Sequence, residues 1–305
     1  MSATMTRASD PEGERPRLRL RLAARGIDGV TLLVLPALIF TAALFLYPAA
    51  YGVWLSLRPM HHGWLLANYV HFFSTPYQYD TIFTTLWLSL PISLLTVAAS
   101  VPIALRVRRM RRQRILTTIL VVPITLGTVL TAQGLLNYLG PLGWFNRTLL
   151  AAGLISEPLL LVHNYWGVFL SQAIVGFPFS FLLILSYVSG LDPSLENAAA
   201  MLGARPGARF QRVILPLLAS GLVTTFCLSF VQAFSVFPSA VLVGAPSGAT
   251  RVISIAAYRA AYEQYDYSMG SAIAIIMALV QMLVVAVVFR VQGLFYRGPM
   301  SGGKG

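Results

Sequence analysis

The chain has 305 residues, 57% of them hydrophobic and only 10% charged, with a formal net charge of +12. Soluble domains carry about 25% charged residues, so a soluble globule is excluded and an all-α, polytopic membrane helix bundle is expected. The positive charge does not point to nucleic acid, because the basic residues fall in short segments between apolar runs and not on one domain.

Residues 1–26 are polar and basic, with Arg7, Arg15, Arg17, Arg19, Arg21 and Arg25. Pro11 and Pro16 disfavour a helix there, so a disordered tail is expected. The first apolar run continues to about Leu57, too long for a signal peptide and long enough to span a bilayer. Leu46-Tyr47-Pro48 is expected to kink or end that helix. Arg58 to Tyr79 reads as a polar, aromatic loop with a short interfacial piece at 68–73. Its His61, His62 and His71 have no nearby Asp, Glu or Cys and read as wet-loop residues, not a metal site.

A second span is expected over about Thr81–Leu105. It ends in Arg106, Arg108, Arg109, Arg111, Arg112 and Arg114, a cationic cluster suited to anchoring on lipid phosphate. The third span covers about Ile115–Leu139 and contains Pro123, Gly127, Thr131, Gln133 and Asn137. Gly140–Asn164 is a loop of low charge. The fourth span is Tyr165–Ser189, with Gln172, Gly176 and Pro178. The fifth is about Ile214–Val243, with Gln232, Ser235 and Pro238, followed by a loop over Gly244–Tyr267. The sixth is about Ser268–Gln292, with Gln281. The domain scheme is thus a tail over 1–26, a six-helix domain over 27–292 with a loop at 191–213, and a tail over 293–305.

Of the 22 Lys and Arg, 18 fall in the N-terminal tail, the C-terminal end from Arg290 onward, the 106–114 cluster and the 191–213 loop. The positive-inside rule then puts both termini and these loops in the cytoplasm. Cys227 stands alone inside an apolar run, without a partner for a disulfide or metal site. No span carries a charged residue at its centre, which counts against a proton-coupled carrier. The sole lysine is Lys304, so no P-loop is present and the chain does not hydrolyse ATP itself. The absence of GxSxG and HExxH lowers the odds of a membrane hydrolase. Gln133, Asn137, Gln172, Gln232, Ser235 and Gln281 remain as uncharged polar groups. They suit hydrogen bonds between helices or the lining of a water-accessible path; Gln133 with Asn137, and Gln232 with Ser235, share helix faces.

The loop from Leu191 to Leu217 is structured. Asp192 can cap a helix that starts with Pro193. Ala198, Ala199 and Ala200 favour that helix, and Gly203 can end it in a left-handed conformation. Pro206-Gly207 marks a turn, and Arg205, Arg209 and Arg212 give the loop its charge.

This stretch resembles the cytoplasmic signature of binding-protein-dependent ABC importer permeases: Glu-Ala-Ala, three residues, Gly, nine residues, Ile-x-Leu-Pro. Ala198, Ala199, Gly203, Val213, Leu215 and Pro216 stand in register. The Glu position holds Asn197, with Glu196 one place early; at about 100° per residue, Glu196 cannot simply replace it. The resemblance implies the type I importer permease fold with six transmembrane helices, in a bacterial inner membrane. It implies contact with an ATPase through Glu196, Asn197, Ala198, Ala199, Gly203, Ala204, Arg205, Leu215 and Pro216. Further partners implied are two ABC ATPase subunits that carry ATP and Mg, a second, related permease and an extracytoplasmic binding protein. No cofactor is expected on this chain. Met201–Pro206 and Tyr47-Pro48 are most similar to the polyamine, ferric-iron and phosphonate branch, so a polyamine-like or other small organic solute is expected. The rival reading is a secondary transporter or channel that works without ATPases.

Overall fold

The computed structural model describes residues 29–60 and 63–295, and the regular structure among them is helical. The expected tail at 1–26, the expected C-terminal tail from 296 onward, and His61 and His62 lie outside the described residues; residues 293–295, expected in the 293–305 tail, belong to the last helix. Six helices among those described are long and apolar enough to cross a membrane. The chain divides into two compact units between Trp54 and Leu55, so the last two residues of the first helix count with the second unit.

In the first unit α1, Gly29–Ser56, runs through both Pro36 and Pro48. The expected end at Pro48 does not occur. Stopping there would free several backbone groups in hydrocarbon, whereas continuing past the ring forfeits about one hydrogen bond. Tyr47, Tyr51 and Trp54 stack in sequence along this helix, with ring centroids 6.4 and 5.6 Å apart.

In the second unit a short α2, Ala67–Ser74, precedes the spans α3 (Pro76–Val107) and α4 (Gln113–Leu139). Next come α5 (Trp144–Ala151), the span α6 (Tyr165–Ser189), α7 (Pro193–Met201) and α8 (Pro206–Arg209). A π-helical turn, Phe210–Ile214, leads into the span α9 (Leu215–Phe234). The short α10 (Pro238–Leu242) and α11 (Ile253–Tyr258) and a second π turn, Arg259–Glu263, precede the last span, α12 (Tyr267–Phe295).

The expected fifth span is too long at its far end. Pro238 biases Phe237 away from helical geometry, and Phe237 takes φ −132°, ψ −58°. A 20-residue helix already rises about 30 Å, the thickness of the hydrocarbon core, so α9 can stop at Phe234. The two loops expected to be irregular contain α5, α11 and the second π turn. Asn146 explains the first: its Nδ2 donates to the Gly140 and Leu159 carbonyls, each at 3.0 Å, and its Oδ1 accepts from Leu159 N at 2.9 Å. At the other loop the buried Arg251 stacks 3.0 Å over the Tyr77 ring and donates to the Tyr77 carbonyl.

Helix α6 is central and packs against α3, α4 and α9. One apolar cluster joins Val97, Val101 and Ala104 of α3 to Phe181, Ile184 and Val188 of α6 and Leu218 of α9. Within a bilayer, burial of apolar surface does not by itself drive helices together, and small or hydroxylated residues let them approach. Helix α3 follows that rule: Ser89, Ser93, Thr96 and Ser100 repeat at helical spacing on one face and are all buried. Ser180 of α6 donates to Thr96 at 3.1 Å and is hydrogen-bonded to Ser229 of α9 at 2.8 Å, so three spans meet through hydroxyls.

Candidate functional site

Two regions hold the residues singled out by sequence. The first is α7. Asp192 caps it: Oδ1 accepts from Ser194 N at 2.8 Å, and this bond holds the carboxyl below its ordinary pKa. At the other end Gly203 takes φ +79°. Gly203 N donates to Ala200 O at 3.0 Å and Ala204 N donates to Ala199 O at 3.1 Å, the paired bonds of a Schellman motif. Among the described residues, none beyond the immediate chain neighbours has an atom within 4 Å of a Cβ built at Gly203, so the backbone turn, and not close packing, requires glycine.

No residue of α7 is buried. Asn197 and Ala198 are exposed and Ala199 is half-buried. Leu195, Met201 and Leu202 are also exposed, the last two at 88% and 89%. Exposed apolar side chains of this size on a loop mark a docking surface. Met201 and Leu202 were not among the residues singled out by sequence, although two large apolar residues just after an Ala run were there to be read. Ala204 is half-buried and Arg205 exposed. Leu215 and Pro216 open α9, and Leu215 lines a separate apolar groove with Phe210, Leu94 and Leu222.

Glu196 points the other way. Its side chain is only 14% exposed, and its carboxylate forms salt bridges with Arg108 and Arg109. Two arginines of the cationic cluster, expected as a lipid-phosphate or cytoplasmic anchor, therefore have a partner inside the chain. Beside them lies a cleft of about 410 Å³ lined also by Gln113, Asn197 and Arg209.

The second region is the set of polar groups on the spans. Gln172 is buried on α6 and accepts from Ser239 at 3.5 Å. Gln172 and Gln232 line one narrow cleft with Thr96 and Ser229. Its free volume of about 10 Å³ is room for about one water. Gln281 of α12 donates to Ser235 Oγ at 2.8 Å and to Val231 O at 3.3 Å. Ser235 is the C-cap of α9, and its N–H still donates to the Val231 carbonyl at 3.2 Å. Gln133 and Asn137 are outside the cleft. On α4 the neighbouring Ala132, Leu135 and Leu139 are buried, whereas Gln133 and Asn137 are exposed. Helix α4 is broken below them: Gly127 takes φ +74°, ψ 172°, and its carbonyl accepts from Thr131 Oγ1 at 2.8 Å. A positive φ at that point needs glycine, and the threonine hydroxyl satisfies a backbone group freed by the break.

Six apolar spans, a doubly capped helix on the loop after the fourth, and uncharged polar groups at bilayer depth define a membrane permease. The family described as "Binding-protein-dependent transport system inner membrane component" matches residues 60–299. The chain belongs to that family and is an ABC importer permease. It is 31% identical over 175 residues to a probable sulfate transport system permease protein, cysT, of Prototheca wickerhamii, covering 57% of this chain and 67% of that one. It is 27% identical over 280 residues to the sn-glycerol-3-phosphate transport system permease protein UgpA of Yersinia pestis, covering 85% and 92%. It is 27% identical over 278 residues to the trehalose/maltose permease protein MalF of Thermococcus litoralis, covering 87% and 94%. A bacterial ABC transporter that imports the acidic polysaccharide alginate has the same fold, with a TM-score of 0.75 at 19% identity over 92% of this chain and 100% of that one. None of these proteins is named for polyamine transport, and the expected kinship with the polyamine branch finds no support in them.

Proposed function

We propose that this permease forms one half of a solute path, completed by a second, related permease and driven by two ATPases that bind ATP and Mg. An extracytoplasmic binding protein delivers the solute, and α7 seats on an ATPase from the cytoplasmic side. The observation that carries this reading is α7 itself. It is closed at both ends by its own hydrogen bonds, yet presents Leu195, Met201 and Leu202 to the outside. The exposed Gln133, Asn137 and Gln232 support the second half of the path. Amides facing lipid are costly, and facing a related subunit across a wet cavity removes that cost. The spans then alternate between outward and inward access as the ATPases close and reopen. The distribution of Arg puts both termini in the cytoplasm.

The solute class best suited to the groups present is a small hydroxylated one, neutral or anionic. The exposed Gln133, Asn137 and Gln232 offer amides and no carboxylate. Relatives named for sn-glycerol 3-phosphate and trehalose/maltose agree with that chemistry. The test is co-expression of the chain with the ATPase, second permease and binding protein of its system. Met201→Asp with Leu202→Asp should lose the co-purified ATPase and the uptake. Uptake that persists in the double variant without a bound ATPase would favour a transporter that works alone.

A further inference from the structure

Arg108 stands where three segments meet. It caps the C-terminus of α3, and its side chain is 11% exposed. Its Nη1 donates to the Val188 carbonyl in the last turn of α6 at 3.2 Å, and its Nη2 donates to Glu196 Oε2 on α7. The other carboxylate oxygen of Glu196 accepts from Arg109 Nη2. One acid thus joins α7 to two consecutive residues at the end of α3, and one guanidinium extends that tie to α6.

Among the described residues, little else ties α7 to the spans. It buries no residue, and it packs on α8 and the π turn Phe210–Ile214, the segment that follows it in the chain. A helix supported mainly by its own loop would tilt when pushed, and the push would be absorbed in that loop.

We infer that Glu196, Arg108 and Arg109 form a clamp that makes α7 move as one body with the ends of α3 and α6. The inference rests on the reading of α7 as the ATPase contact and gives that contact its mechanical output. The three side chains are positioning residues. Glu196 is displaced from the signature position because its work lies inside the chain, and Asn197 is left to face outward. Arg108 and Glu196 are largely shielded, so salt screens them less than a surface pair. Removing either one leaves the other charge poorly compensated. Arg106, Arg111, Arg112 and Arg114 are exposed and remain free to meet lipid phosphate.

The test uses the complete importer in proteoliposomes. It measures ATPase retained per permease, hydrolysis without binding protein, and stimulation by the loaded binding protein. Glu196→Gln and Arg108→Gln should keep the ATPase and the unstimulated hydrolysis, with stimulation reduced about tenfold, within the usual range of coupling between sites. Arg109→Gln, altering a residue that is 60% exposed, should do less and serves if the other two fail to accumulate. In a Cys227→Ser background, joining Arg109→Cys to Glu196→Cys with a short bifunctional thiol reagent should raise stimulation above that of the unjoined pair.

Full stimulation in both Gln variants would overturn the clamp. So would a joined pair less active than the unjoined one, since α7 would then have to move against α3. Loss of the ATPase in Glu196→Gln but not in Arg108→Gln would make Glu196 a direct ATPase contact instead. A wild-type chain that retains no ATPase would overturn the broader reading and the clamp together, whereas the other results overturn the clamp alone.

Discussion

The Gln281 amide donates to the Ser235 hydroxyl at 2.8 Å, joining the last span to the residue that ends α9. Two groups expected along the solute path thus hold each other, while Gln232, three residues before Ser235, keeps its amide toward the cleft. Gln232→Cys in a Cys227→Ser background should therefore react with a small aqueous thiol reagent, and faster in one transport state than another. Ser235→Cys should react slowly until Gln281→Leu removes its partner. Equal rates at both positions in every state would refute this division. Gln281→Leu should itself cost about 0.6–1.7 kcal/mol, the range for hydrogen bonds between membrane helices.

Gly203 is a second point of test. Its φ of +79° makes any L side chain unfavourable by about 1–2 kcal/mol, while the space around it is open. Gly203→Ala should loosen the C-terminus of α7 and reduce ATPase retention moderately. Gly203→Asn, better tolerated in that conformation, should restore most of it. If Ala and Asn behave alike in a co-purification assay, the left-handed turn is not what the position requires.

Asn146 anchors the loop after α4 by bonds to backbone groups on both sides. Asn146→Leu leaves Leu159 N and two carbonyls without that partner and should destabilise the protein by roughly 2–4 kcal/mol. Thermal unfolding in detergent would read the loss, and a variant as stable as wild type would show that water replaces the amide.

Asp192 gives a pH dependence. Its carboxyl is held below its ordinary value by the Ser194 N–H, so the folded-state pKa is lower than the unfolded one. The cap therefore contributes fully above about pH 4, the ordinary carboxylate value, and is lost as pH falls through the lower folded value. Amide-exchange protection of Ser194 should fall across that acid window. Asp192→Asn caps without a charge and should flatten the profile; an unchanged acid transition in that variant would assign it to another group.

The spans were legible because hydropathy alone marks them. Tyr165–Ser189 is found where it was expected, between Asn164, whose side chain accepts from Gly167 N, and Gly190 at the C-cap. The fifth span ran past its true end because Val236–Val243 is as apolar as the membrane segment, and only Pro238 marks the break. Helices α5 and α11 were missed because each is shorter than ten residues and is held by distant partners. Asp192, Pro193 and Gly203 were readable because caps act locally. The pairing of Glu196 with Arg108 joins residues 88 positions apart, and no local pattern announces such a bond. The same limit hid which polar groups share the cleft: Gln172 and Gln232 lie on different spans, while the Gln133–Asn137 spacing showed only that those two share a face.

The hydroxyl junction of Thr96, Ser180 and Ser229 has a mechanical consequence. Large side chains interlock like teeth, and spans joined that way can slide only by withdrawing and re-seating them. At this junction the contacting groups are small, and a rotating hydroxyl can exchange one oxygen partner for another within a fraction of a helical turn. That one junction can therefore yield in small steps, whereas Phe181, Ile184 and Leu218 interlock elsewhere between the same spans.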